Sequence, residues 1–403
     1  MASTKTEIQE VLEVPSTMRR KLVSAFVLGA GSLAVAACGG GSSGDGPDAV
    51  ANRQRRRWQS ATASASSPAA ASAPTTASST AAASTSTGSQ GTSNTSTSGV
   101  LQDKSFGVKG DGTTNDRAAL QKAIDGSVGK ILLISGKVRI DSAGLDLRTN
   151  SHLRFASGAS IKLLAHNTAS YQILRLWDVN NVQIENAYLD GSKELNSATN
   201  DPNDGGQGMG ISIAGATNST ITSPTTINCW GDGIYIGSSY HSLTTPSNAI
   251  TITKHVADGC RRQGATITSG SNITFDTPTW SNTQGTMPSA GLDIEPNDNN
   301  AVLSNIKVIS PTTNNCRYGI LVYLGALPGP VAKAVTVDIT NHRDNASYHV
   351  AYAVGGLQLN GYSVTGHISS DNPVYMHSAL GFSKTDWDNA GPAVEVTNMT
   401  YTR

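Results

Sequence analysis

Apolar residues in this chain come in short alternating runs, with one helical stripe. In Gly291-Leu292-Asp293-Ile294-Glu295, Leu292 and Ile294 share one face of an extended segment and Asp293 and Glu295 share the other, because strand side chains alternate. Strand-like runs also fall at 130–134, 137–140, 145–147, 152–155, 160–164, 172–176 and 182–184, separated by Gly, Asn and Asp. The helical stripe is Leu120, Ala123 and Ile124, with Asn115 or Asp116 placed to cap it.

The later chain repeats. Asn218, Asn272 and Asn305 are each followed by Pro at six residues and by Asn four further on, at Asn228, Asn282 and Asn315. Asn248 keeps the same spacing to Lys254 and Asp258. A second column, Gly-apolar-X-apolar, begins at Gly210, Gly233, Gly264, Gly291 and Gly319, in steps of 23, 31, 27 and 28 residues. Each repeat is one coil that buries its apolar face only by stacking on its neighbours, with Asn side chains hydrogen-bonded from coil to coil. The expected fold class is all-β: a single-stranded right-handed parallel β-helix over residues 100–403 with a short N-terminal capping α-helix.

Composition agrees with many short strands: 41 Gly and 5% aromatic residues in 403. The formal net charge is zero, which argues against a nucleic-acid partner held through phosphates. Cys229, Cys260 and Cys316 fall near one phase of the repeat and read as small buried residues; a bridge between Cys229 and Cys260 is the alternative. No spacing of Cys and His suggests zinc. His342, His349, His367 and His377 share no spacing and read as surface or turn residues.

The first hundred residues differ in kind. Met18-Arg19-Arg20-Lys21, an apolar run and Val35-Ala36-Ala37-Cys38 form a secretory signal. The small residues before Cys38 resemble the lipobox of bacterial lipoproteins, which implies cleavage before Cys38, its acylation and a lipid anchor in the cell envelope. Residues 1–38 are thus an N-terminal extension with signal peptide. Residues 39–99, rich in Ala, Ser, Thr and Gly, are a disordered tether.

The segment from Phe106 to Ile124, with its Gly110-Asp111-Gly112 turn before the helix, resembles the opening of the pectate-lyase-like superfamily of right-handed parallel β-helices. The resemblance implies a helix that plugs the first coil, and it speaks to the fold and hardly to the reaction. In the polygalacturonase branch, catalytic acids lie just before the column glycines. Asp232 matches the first of them, while Arg262-Gln263 and Ala290 stand where that branch has its paired Asp and its His.

Stacking puts like positions about 4.8 Å apart. The outward column through Asp293 then reads Ser212, Tyr235, Thr266, Asp293, Leu321, and the one through Glu295 reads Ala214, Gly237, Thr268, Glu295, Tyr323. Small residues beneath the pair predict an open floor, with carboxyl tips roughly 6.5–9.5 Å apart, as in inverting glycosidases. Asp293 and Glu295 are the candidate acid and base, with Asp232 a lesser one. Arg262 and Arg317, with Arg261 beside them, are placed to hold a sugar carboxylate or sulfate, and Tyr235 and Tyr323 to stack on sugar rings. The eight residues 283–290 must bulge beside Asp293, and further insertions at 192–207 and 238–247 wall the same side.

Three functions remain open on these residues. The preferred one is hydrolysis of an extracellular or cell-surface acidic polysaccharide without metal or cofactor. A calcium-assisted lyase would use Asp293 and Glu295 as ligands and Arg262, Arg261 or Lys254 as base. The third is a tethered binding or adhesion module. Neither monomer nor trimer is excluded.

Overall fold

The computed structural model describes residues 99–198 and 206–403. The lipobox with Cys38, the tether, and Asp201 and Asp204 of one insertion lie outside the described residues. Among the described residues the chain winds as a right-handed parallel β-helix, with two sheets of eleven strands and one of nine. Each coil contributes one strand to each sheet in turn, and all neighbours pair in parallel, as Thr226↔Ala257 and Tyr235↔Thr266 illustrate. No helix among the described residues is long and apolar enough to cross a membrane.

The interior is built from aliphatic stacks. Ile213, Ile236, Ile267, Ile294, Val322 and Val354 lie one above another in the third sheet, all buried. Facing them in the first sheet are Ile221, Ile252, Phe275, Val308 and Ile339. Stacking identical branched side chains removes both faces of each residue from water, which one coil alone cannot do. The column glycines also point inward. A Cβ at Gly264 would stand 2.6 Å from the Trp280 ring, so the third sheet can approach the second here only without a side chain.

At the N-terminal end, α1 (Arg117–Gly126) buries Leu120, Ala123 and Ile124 against the first coils. Asp116 occupies its N-cap position, but its carboxylate accepts the backbone N–H groups of Lys109 and Gly110, both at 2.7 Å. It ties the turn before the helix to the helix start. The C-terminal segment continues the solenoid: Val364–Asp371, Val374–Met376 and Phe382–Thr385 make another coil, and Ala393–Thr397 and Thr400–Thr402 start the next.

The Asn ladders form. Asn315 Nδ2 donates to Asn282 Oδ1 at 2.8 Å, Asn282 Nδ2 to Asp258 Oδ1 at 2.6 Å, and Asn305 Nδ2 to Asn272 Oδ1 at 2.7 Å. The expected register slips by one residue in one coil. Ser271 pairs with Asn248 and Ile227 with Asp258, so Ala249 and Gly259, not Asn248 and Asp258, stand in the Asn columns. The reason is backbone conformation: each corner needs a residue at positive φ, and Asn228 (50°), Gly259 (64°), Asn282 (56°) and Asn315 (49°) supply it in turn. Asn248 and Asp258 still join the ladders as acceptors from the adjacent position.

Cys229, Cys260 and Cys316 are buried free thiols, so no bridge joins the first two. His342 is a correction: it is fully buried, not a surface residue, and its Nε2 meets Thr313 Oγ1 at 2.8 Å. Three coils earlier, His255 does the same with Thr226 Oγ1 at 2.8 Å, while Trp280 Nε1 donates to its Nδ1 at 3.1 Å. The Trp280 N–H requires a bare Nδ1, so the His255 proton sits on Nε2 and both nitrogens are satisfied only in the neutral ring.

Burial holds the His255 pKa down at about 3, against an ordinary value of 6.5. The stability it contributes is full above the ordinary value and is lost as pH falls toward the folded one. Thermal melts should therefore show a midpoint that falls steadily as pH drops from about 6.5. In His255→Phe the midpoint should be lower at neutral pH but its acid slope shallower, with His342 supplying a remainder; an unchanged slope would contradict this assignment.

Candidate functional site

Four strands of the third sheet carry the site: β1 (Gln207–Ala214), β2 (Asp232–Gly237), β3 (Gln263–Ile267) and β4 (Ala290–Ile294), followed by β5 (Tyr318–Tyr323). The expected column is present: Ser212 pairs with Tyr235, Tyr235 with Thr266, Thr266 with Asp293 and Asp293 with Leu321. Leu292 and Ile294 belong to the interior, so Asp293 faces outward, away from the aliphatic stacks. Asp232, on β2, pairs with Gln263 on β3 and lies on the same outer side as Thr266, whose Oγ1 donates to Asp232 Oδ2 at 3.0 Å.

The floor is not open. Asp293 is 1% exposed and Asp232 fully buried, and Arg261, Arg262, Gln263 and Thr266 are buried with them. Glu295, just past the end of β4, is the half-buried acid of the pair. The bulge 283–290 closes over the sheet instead of walling an open cleft. The bulge 283–290 is locked by Thr283 Oγ1 donating to Ser289 O at 3.0 Å and Thr286 N to Arg261 O at 3.0 Å. Gly285 lies directly on the Arg261 side chain, where a Cβ would meet Cγ at 2.6 Å.

The arginines are largely engaged. Arg262 grips Asp232 with both arms of its fork, Nε to Oδ1 at 2.7 Å and Nη2 to Oδ2. A buried bidentate pair of this kind costs several kcal/mol per ion to desolvate, on the order of what its attraction returns. Arg261 stacks its guanidinium on the Trp230 ring, 4.9 Å from the centroid. Arg317 does not flank the acids in an ion pair; its guanidinium lies over the Tyr318 ring at 5.8 Å, and its Nε is buried without a hydrogen-bond partner. Lys254 sits at the corner between the first and second sheets, in the turn after Ser247–Thr253, and does not belong to the third-sheet site.

The Asp293 and Glu295 carboxyls act on each other at short range, and not as the separated acid and base expected of an inverting pair. Burial, and then the adjacent Glu295 carboxylate, push the Asp293 carboxyl well above the ordinary carboxylate range; Arg262 pulls the other way without offsetting them. Gln263 Nε2 donates to Asp293 Oδ2 at 3.1 Å, while Asp293 Oδ1 accepts no donor of the protein. Two carboxyls this close titrate as a pair, and the raised Asp293 favours keeping a proton between them.

Tyr235 leans across Gly237, where a Cβ would meet its hydroxyl at 2.8 Å, and its OH meets Thr268 Oγ1 at 3.0 Å. Tyr323 lies over Gly325 and Gly356, where Cβ atoms would meet its ring at 2.7 and 2.2 Å. The sequence gives Gln263 no binding or catalytic role, and it does not single out the aromatic pair Trp177–Tyr240, with centroids 4.8 Å apart. Trp177 pairs with Ala214 and so stands in the same column as Glu295, a signal available once 170–177 is aligned to the later strands.

Among the described residues no three or more His, Cys, Asp and Glu side chains gather as a metal site. A shallow depression of about 150 Å³ on the first sheet, lined by Gln183, Glu185, Thr220 and Thr222, touches none of these residues.

No family model matches the chain, and no curated protein matches its sequence. Among solved structures it is similar to a mutant tailspike protein of E. coli bacteriophage HK620 in complex with a hexasaccharide, with TM-score 0.55, 11% identity, and 75% of this chain and 56% of that one covered. It is also similar to endo-xylogalacturonan hydrolase from Aspergillus tubingensis, with TM-score 0.50, 14% identity, and 75% and 92% covered. A third is the pre-mature bacteriophage phi29 gene product 12, with TM-score 0.44, 16% identity, and 75% and 52% covered. The chain spans about half the length of the two phage proteins. At such identities the likeness shows the fold, which is that of right-handed parallel β-helix proteins.

Proposed function

We propose that the protein cleaves a polysaccharide by glycoside hydrolysis, with the Asp293–Glu295 pair as its acid–base centre. The observation that carries this reading is the contact between two outward carboxyls, one buried and one half-exposed. Neither gains anything for folding from this placement, and perturbed carboxyls of this kind gather where acid–base chemistry is done. The two more similar structures support it: one protein is a saccharide-bound tailspike and the other a hydrolase of xylogalacturonan.

Glu295, the reachable member, gives the shared proton to the glycosidic oxygen as the bond to the anomeric carbon breaks. The pair, now doubly ionised beside the Arg262 cation and the Gln263 amide, takes a proton back from the water that adds to that carbon. Asp293 acts through Glu295, and Asp232 holds Arg262 in place. Because Arg262 and Arg261 are engaged, an acidic sugar would be recognised through Arg317 alone. Export and anchoring through an acylated Cys38 remain part of the proposal, as does action without a metal.

A lyase is disfavoured because Arg261 and Arg262 are tied down and Lys254 is at a distant corner. A binding module gains support from the burial of Asp293 and Asp232, and turnover separates it from the hydrolase. Incubation with xylogalacturonan, alginate and other soluble polysaccharides should release reducing ends without new ultraviolet absorbance, and chelator should leave the rate unchanged. An absorbing, chelator-sensitive product would mean a calcium lyase, and binding without reducing ends a binding module.

Glu295→Gln and Asp293→Asn should each lower turnover by about 10²–10⁴-fold. Asp293→Asn should also raise the melting temperature. The Asp293 pKa is raised in the fold, so its contribution is intact at acid pH and eroded as pH rises through the folded value. A neutral amide escapes that erosion, so the gain should grow as pH rises above the ordinary carboxylate range. Retained turnover in both variants, or a melting difference independent of pH, would remove the pair from this role.

A further inference from the structure

We propose that the solenoid interior binds ordered water beneath its last strands, among His342, Tyr352, Ser370 and Tyr375, and that this water is a structural part of the fold. The site lies apart from Asp293 and does not depend on the hydrolase reading. All four residues are buried, and His342 Nδ1, Tyr352 OH, Ser370 Oγ and Tyr375 OH find no hydrogen-bond partner in the protein. They come from all three walls. Tyr352 stacks on Ile320 and points inward from the third sheet, Tyr375 stacks on Asp344 in the second, and Ser370 stands between Ile339 and Val396 in the first. Burial raises the pKa of the Tyr352 hydroxyl, and the neighbouring Tyr375 adds to this; burial raises Tyr375 too, while Ser370 beside it pulls the other way. The hydroxyls thus lie near one another, yet none completes a bond. Folded proteins seldom leave buried polar atoms unmet, because each carries its full desolvation cost.

The hydrogen count at His342 says what the ligand must offer. Thr313 Oγ1 gives its one hydrogen to Asp344 Oδ1, so toward His342 Nε2 it can only accept. The ring proton therefore sits on Nε2, and Nδ1 is a bare acceptor. His255 is held by Thr226 in the same way, and there Trp280 Nε1 fills Nδ1. Tyr375 takes toward His342 the place that Trp280 takes toward His255: Trp280 stacks on Ala257, and Tyr375 on Asp344. Its ring meets the His342 ring edge-on, with centroids 5.2 Å apart. An indole carries its N–H on the ring, whereas a phenol carries its hydroxyl at the far tip. Tyr375 thus covers the imidazole and leaves Nδ1 unfilled. A small molecule that both donates and accepts completes the set, giving one hydrogen to Nδ1 and bonding to the hydroxyls. Asp344 does not call for a cation here, because the Thr313, Ser347 and Ser378 hydroxyls already donate to it. Water has the right size and neutrality, and a buried water makes about three such bonds.

A high-resolution crystal structure of the protein tests this directly. A water should lie within about 3.2 Å of His342 Nδ1 and of at least two of the three hydroxyls. Direct bonds among the hydroxyls with nothing at Nδ1, or no density between them, would overturn the proposal. Melting midpoints give a second readout, in which the sign decides. With water in place, Tyr352→Phe, Tyr375→Phe and Ser370→Ala should each lower the midpoint by about 1–4 °C, because each takes a bond from a buried water. Were the hydroxyls merely unpartnered, each change would remove a desolvated group, and the midpoint would rise or hold; that result contradicts the proposal. The double variant Tyr352→Phe with Ser370→Ala should lose less than the two single losses added, since both act on one water. Strict additivity would mean that the two residues share no ligand. Tyr188→Phe, at an exposed tyrosine of the second sheet, should leave the midpoint where it is.

Discussion

Coil-to-coil register is the constraint on which everything else in this molecule depends. It is set at the corners, where one residue per turn takes up left-handed backbone conformation and an amide ladder links successive turns. Once Asn282 and Asn315 are stacked, the strands that follow them have no freedom to slip, because a one-residue shift would turn Ile294 and Val322 outward and put Asp293 in the aliphatic interior. The same restraint brings Asp232, Arg262, Thr266 and Asp293, from three successive coils, onto one outer surface.

That surface carries two charge arrangements with opposite consequences. Asp232 and Arg262 neutralise each other by a two-pronged contact, and with Thr266 they form a closed, satisfied unit. Asp293 and Glu295 are alike in charge, and one of them is buried. The cheapest state for such a pair is to retain a proton, which the first unit favours by leaving its cation already spent on Asp232. The ion pair thus acts on the acid pair from beside it, with Arg262 pulling the Asp293 carboxyl down without offsetting its burial.

Much of this architecture was legible in the chain. The six-and-four spacing of Asn, Pro and Asn gave the coil period, and the glycine column gave the alignment of Tyr235, Thr266, Asp293 and Leu321. Asn248 and Asp258 misled by one position because the corner needs a backbone conformation, and Ala249 and Gly259 meet that need without the Asn signature. Depth was illegible: whether a loop covers an outward residue depends on how 283–290 packs on Arg261, which no periodicity encodes. For the same reason His342 read as a turn residue, although its ring fills the interior, and the Asp293–Glu295 contact depended on side-chain rotation at a strand end.

The shared proton is the central claim, and infrared difference spectroscopy measures it directly. At pH 7 the wild type should show a protonated carboxyl stretch that disappears in Asp293→Asn and in Glu295→Gln and persists in Asp232→Asn. A spectrum with only ionised carboxylates at that pH, unchanged by either substitution in the pair, would contradict the account.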